Sequence, residues 1–139
     1  MHMAKIGIIG AGSWGIALSV LLHNNGHEIT VWSILEDEIN MLKTEHEHKD
    51  KLPGVKLPED MIFTTSLPEA IEVKDILVLA VPSPFTRSTS HNMKPYVADG
   101  QIIVNVAKGI EEHTLMTLSQ IIEEEVPQAN VAVLSGPSH

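Results

Sequence analysis

The chain has 139 residues, 18 Asp and Glu against 9 Lys and Arg, 43% hydrophobic residues and no cysteine. That is enough for one domain with its own apolar core, and the lack of cysteine excludes disulfide frameworks, thiolate metal centres, iron–sulfur clusters and cysteine nucleophiles. A formal net charge of −9 argues against a general nucleic-acid binder, and no run approaches the roughly 20 apolar residues of a membrane-spanning helix.

The first apolar run is too short for a signal peptide, so a cytoplasmic location is expected. Residues 5–9 are Ile-rich and stop at Gly10, which reads as a strand buried on both faces. Leu18, Leu21 and Leu22 then recur at helical spacing with Ala17 and Val20, until Asn24, Asn25 and Gly26 end the helix. Residues 28–32 supply β-branched and aromatic side chains for a second strand. A second helix is expected over residues 35–45, with Leu35, Ile39 and Leu42 on one face. Residues 45–59 turn to His, Lys, Asp, Pro and Gly and read as a solvated loop.

Residues 61–64 make a short third strand, and Ser66 followed three residues later by Glu69 opens a short helix. Residues 76–81 are the strongest buried-strand signal in the chain. Pro82-Ser83-Pro84 stops that strand, a weaker helix is expected over 85–94, and residues 101–106 form a fifth strand. Leu115, Leu118, Ile121 and Ile122 mark an amphipathic helix closing in Glu123, Glu124 and Glu125. Those acids oppose the helix macrodipole and are expected on a solvated face, at a small cost in stability. Residues 130–134 form the sixth strand. The alternation predicts an α/β fold, a doubly wound, mainly parallel sheet of about six strands in the order 3-2-1-4-5-6 with helices on both faces.

Gly10-Ala11-Gly12-Ser13-Trp14-Gly15 fits G-x-G-x-x-G between a predicted strand and a predicted helix. Gly10 permits a tight turn, Gly12 lets the backbone approach a pyrophosphate, and Gly15 lets the helix pack closely on the strand. The anion would meet unpaired amides at the positive end of the helix. At the end of the second strand, the acid that pairs with the ribose of NAD is missing, and so is an Arg for the 2′-phosphate of NADP. Ser33 is a candidate for either group and Ile34 for packing on the adenine. NAD and NADP both remain open.

Gly10-Ala-Gly-Ser-Trp-Gly, Val81-Pro82-Ser83, Ala107-Lys108-Gly109-Ile110-Glu111 and Ser135-Gly136-Pro137-Ser138 occur in that order. Together they resemble the Rossmann-type N-terminal domain of bacterial NAD(P)-dependent glycerol-3-phosphate dehydrogenases, across residues 5–139. The resemblance implies hydride transfer between NADH or NADPH and dihydroxyacetone phosphate, giving sn-glycerol 3-phosphate, a phospholipid precursor. It puts Ser13 and Trp14 beside the pyrophosphate, residue 34 at the adenosine end, and Pro82 and Phe85 along the dinucleotide. It puts Lys108 near both nicotinamide and substrate, and Gly136 and Ser138 at the substrate. Many members carry a polar or basic residue where this chain has Ile34. The proton-transfer Lys of the family belongs to a helical C-terminal domain absent from this chain, so no catalytic residue is expected here. Residues 1–139 are accordingly expected to be the dinucleotide-binding domain alone, without turnover by itself, and a homodimer is possible for the intact protein.

Other arrangements point less far. His46-Glu47-His48 with Asp50 has metal-ligand chemistry but no closing ligands at recognisable spacing, so no metal site is expected. Ser135-Gly136-Pro137 is not a nucleophile elbow. Two rival functions fit the glycine turn: another dehydrogenase of the same architecture, acting on a β-hydroxyacid, 6-phosphogluconate or a nucleotide sugar, and a non-catalytic module that senses dinucleotides.

Overall fold

The computed structural model describes residues 3–133. Strands and helices follow as β1 (Lys5–Ile9), α1 (Ser13–Asn24), β2 (Glu28–Trp32), α2 (Glu36–Glu45), β3 (Ile62–Thr64), α3 (Leu67–Ile71), β4 (Ile76–Leu79), α4 (Thr86–Met93), β5 (Ile102–Asn105), α5 (Leu118–Glu125) and β6 (Asn130–Val133). The strands form one sheet in the order β3-β2-β1-β4-β5-β6. Each pairing in it is parallel. The strand order predicted from sequence is the observed one.

Side chains alternate across the strands, so each strand feeds two cores. Ile6, Ile8, Ile29, Val31 and Val78 pack with Ile16 of α1 and Ile39 of α2 on one face. Ile9, Trp32, Leu77, Leu79 and Ile103 pack with Ile71 of α3, Met93 of α4 and Ile122 of α5 on the other. Gly7, inside β1, exists for this second face. A Cβ there would lie 2.0 Å from the Ala70 carbonyl oxygen, so α3 seats directly on the strand backbone.

The strand order reverses between β1 and β4. The chain leaves those neighbours toward opposite faces, which opens a crevice at their C-terminal ends. That crevice holds the site.

Four local expectations are corrected. The helix expected over residues 85–94 is a 3₁₀ turn at Ser83–Phe85, then α4, then a second 3₁₀ turn at Lys94–Tyr96, because Pro84 and Pro95 sit in the first turn of each 3₁₀ segment. Leu115 is outside the helix, 71% exposed and at φ 60°; α5 starts only after Thr117, which forms a capping box with Gln120. Residues 45–59 are not simply a solvated loop, since His48 and Leu57 are buried. Finally, Glu123 and Glu124 are exposed as expected, but Glu124 and the half-buried Glu125 do not face the helix dipole unaided. Arg87 on α4 donates to both Glu124 and Glu125 at 2.7 Å, which offsets their clash with the helix dipole.

Candidate functional site

The glycine turn leaves β1 and enters α1, and its three glycines have three separate physical reasons. Gly10 has φ +124° and a Cβ there would meet the Ala80 carbonyl oxygen at 2.7 Å, where the turn crosses the end of β4. At Gly15 a Cβ would stand 2.3 Å from the Gly10 carbonyl oxygen, so the first turn of α1 rests on the glycine turn itself. At Gly12 a Cβ would meet nothing within 4 Å. This glycine is not needed for packing, and it faces a groove.

Gly12 is also the N-cap of α1, with no side chain capping the helix and no acid in its first turn. The first intrahelical acceptance is Ile16 N–H to the Gly12 carbonyl at 2.9 Å, so the amides of residues 13–15 have no partner within the helix. They and the helix dipole favour an anion.

The groove has a volume of about 1260 Å³ and is lined by Gly10, Ala11, Gly12, Ser13, Trp14, Ser33, Ile34, Pro82, Phe85 and Lys108, among others. The structure thus brings together every sequence-predicted site residue among residues 3–133 except Gly15, which acts beneath the surface. Gly136 and Ser138 lie outside the described residues. Trp14, Ile34 and Phe85 are 54%, 74% and 57% exposed and give the groove apolar walls.

Beyond β2 the structure adds residues that the sequence reading missed. Ser33 does not offer its hydroxyl hydrogen to the groove: it donates to Glu38 Oε1 at 2.6 Å and accepts from Leu35 N–H at 3.1 Å. Glu38 comes from the first turn of α2, so the carboxylate missing from the end of β2 is supplied six residues later from the helix. Its second oxygen lies 2.6 Å from His48 Nε2 and 3.3 Å from Lys51 Nζ. His48 Nδ1 accepts from Lys51 N–H at 3.2 Å, which puts the ring hydrogen on Nε2, facing Glu38. Burial pushes the Glu38 pKa up, but hydrogen bonds from Ser33 and His48 and the Lys51 charge outweigh it and hold the carboxyl below its ordinary value. Ser13 Oγ donates to the Lys51 carbonyl at 2.8 Å and ties this cluster to the glycine turn.

On the far side, the loop after β5 is braced before it reaches Lys108. Asn105, buried at the end of β5, donates to the Ala107 carbonyl and accepts from the Ala107 amide at 3.2 and 3.1 Å. Ser83 Oγ donates to the Lys108 carbonyl at 2.9 Å, leaving the exposed Lys108 side chain beside the groove. Arg87 holds Glu111 through two 2.9 Å bonds, one from Nε and one from Nη2. Those bonds, first of all, bring the Glu111 pKa down to about 2. Among the described residues, no group of three or more His, Asp or Glu is arranged to hold a metal ion. No described helix is long and apolar enough to cross a membrane.

A glycine turn at the reversal point of a parallel sheet, opening free amides into a long groove with apolar walls, defines a dinucleotide-binding α/β domain. The chain belongs to a particular family of that class, the N-terminal domain of NAD-dependent glycerol-3-phosphate dehydrogenase, whose model matches residues 5–139. It is 65% identical over 137 residues to a glycerol-3-phosphate dehydrogenase (NAD(P)+) of Agathobacter rectalis, covering 99% of this chain and 41% of that protein. A Fusobacterium nucleatum protein of the same name is 57% identical, with 99% and 42% covered. The crystal structure of glycerol-3-phosphate dehydrogenase from Coxiella burnetii superposes with a TM-score of 0.90 at 29% identity, over 99% of this chain and 42% of that one. The chain therefore spans about two fifths of the length of the relatives it matches.

Proposed function

We propose that this chain is the cofactor-binding part of an oxidoreductase that moves a hydride between NADH or NADPH and dihydroxyacetone phosphate, giving sn-glycerol 3-phosphate. The observation that carries the reading is Gly12: a backbone position with open space above it, at the free amide end of α1, on the floor of the groove. In this reading the amides of residues 13–15 receive the pyrophosphate, and Ser13 and Trp14 flank it. Ser33 and Ile34 border the adenosine, Pro82 and Phe85 line the path of the dinucleotide, and Lys108 meets the substrate oxygens near the nicotinamide.

The bound dinucleotide supplies the hydride. The residues of this chain orient it, exclude water along apolar walls and present one cation, Lys108, to an anionic substrate. Gly136 and Ser138, beyond the described residues, are proposed to complete the substrate contacts. The proton for the carbonyl oxygen is assigned to the part of the relatives' length that this chain does not match, a helical C-terminal domain. A general acid of that kind contributes about 10² to 10⁴ in rate. The small-molecule reading accords with a net charge of −9, which offers no footprint for nucleic acid. A cytoplasmic setting and a homodimer of the intact enzyme complete the proposal.

Calorimetric titration of the 139-residue chain with NADH and with NADPH tests it. Binding of at least one is expected, and binding of neither overturns the reading. The same chain is expected to show no oxidation of either cofactor when dihydroxyacetone phosphate is added. Measurable turnover would refute the assignment of the proton donor elsewhere.

A further inference from the structure

The chain contains a single arginine, Arg87, and it is committed to Glu111, Glu124 and Glu125 on the far side of the sheet. Residues 1–139 therefore offer no guanidinium at the end of β2, where an enzyme that takes a 2′-phosphorylated ribose usually places one. What stands there is Glu38, a carboxylate whose side chain is 9% exposed and which lines the same groove as the glycine turn.

Resting on the dinucleotide reading above, we infer that Glu38 is the residue that selects an adenosine ribose with a free 2′-hydroxyl, so that this domain prefers NADH to NADPH. A carboxylate has about four acceptor positions. Three are used here: one on Oε1 by the Ser33 hydroxyl, and two on Oε2 by His48 and Lys51. One position on Oε1 remains, on the oxygen nearest the end of β2. A ribose hydroxyl can donate to it. A 2′-phosphate, which at neutral pH is close to doubly charged, brings no such donor and adds like charge beside a carboxylate already drained of solvent.

Lys51 does not reverse this preference. Its ammonium is drawn to Glu38, and its backbone is fixed twice, by the Lys51 amide on His48 Nδ1 and the Lys51 carbonyl on Ser13 Oγ. The cluster is thus tied to the phosphate-binding turn. Ile34 and Leu35, 74% and 56% exposed beside it, offer an adenine apolar contact but no side-chain donor for a phosphate.

The test is titration of the wild-type chain and two variants with NADH, NADPH, 5′-AMP and adenosine 2′,5′-bisphosphate at one salt concentration. In wild type, NADH is expected to bind at least tenfold tighter than NADPH, a difference of about 1.4 kcal/mol, and 5′-AMP to exceed the bisphosphate by a similar ratio. Glu38→Gln keeps the shape and removes the charge, and is expected to bring the ratio within about threefold, mainly by improving NADPH. Lys51→Gln removes the compensating cation and is expected to widen the ratio at least threefold. Circular dichroism checks that each variant folds; if Glu38→Gln does not, the Lys51→Gln ratio decides, and no widening overturns the inference. Equal or tighter NADPH binding in wild type also overturns it while leaving the dinucleotide reading intact. Binding of neither dinucleotide overturns both.

Discussion

The two ends of the groove are built by different means. The glycine turn is backbone: its shape comes from residues 10–15, and its chemistry is unpaired amides. The end beyond β2 is side chains: Ser33, Glu38, His48 and Lys51 meet there from the strand end, the helix and the following loop. A backbone site depends on a short run and tolerates almost nothing larger than hydrogen at its packed positions. A side-chain site tolerates substitution at each member but depends on all of them meeting.

The largest effect that could break this contrast lies inside the turn. Gly15→Val places a side chain against the Gly10 carbonyl, 2.3 Å from the new Cβ, and is expected to cost about 3 kcal/mol or more, or to prevent folding, as measured by urea unfolding. Gly12→Val, three residues away, meets nothing within 4 Å. It is expected to fold normally and to lose about 100-fold in dinucleotide affinity, or about 2.7 kcal/mol. A Gly12 variant that binds as well as wild type would show that the open space above this residue is not the ligand's.

At the other end the expected costs are smaller. His48→Ala removes a buried ring and one donor from Glu38, with an expected loss of about 2 kcal/mol in stability. Retention of wild-type stability would mean that the cluster is a surface ornament. The smallest effect concerns the Arg87 cluster. Hydrogen bonds from Arg87 hold Glu111 at about 2 in the folded chain, against an ordinary value of 4.5. The unfolded chain takes up that proton first as pH falls. The resulting stabilisation is therefore full above about pH 4.5 and is lost progressively as pH falls toward 2. Arg87→Met is expected to be modestly less stable than wild type near neutral pH, with the gap in melting temperature closing across that window. A gap that stays constant down to pH 2 would exclude the ion pairs as its source.

The same division explains what was legible in the sequence. β1 and β2 are legible at their observed limits because one is a short Ile-rich run stopped by Gly10 and the other a short run of β-branched and aromatic residues, the composition of buried parallel strands. Leu115 was misread as helical because apolar spacing alone does not distinguish a helix from the turn before its N-cap. Its positive φ is imposed by the bonds that close residues 111–116 onto themselves. The partner of the acids at the end of α5 is not legible in the sequence because Arg87 lies 37 and 38 residues earlier in the chain. The role of Glu38 is hidden in the sequence for a similar reason. Its local sequence says nothing of His48 or Lys51, which a loop with little apolar period brings back to it.

The sequence by itself determined the alternation of strands and helices, the glycine turn and some of the residues that line the groove. Each depends on side-chain type and spacing within a few neighbours, which sterics and burial translate directly into local structure. Only the tertiary structure decided which charges meet. Glu38 found Ser33, His48 and Lys51, and Arg87 found Glu111, Glu124 and Glu125. Coulombic and hydrogen-bonding partners are set by distance in space, and the folding of a parallel sheet makes that distance almost independent of separation along the chain.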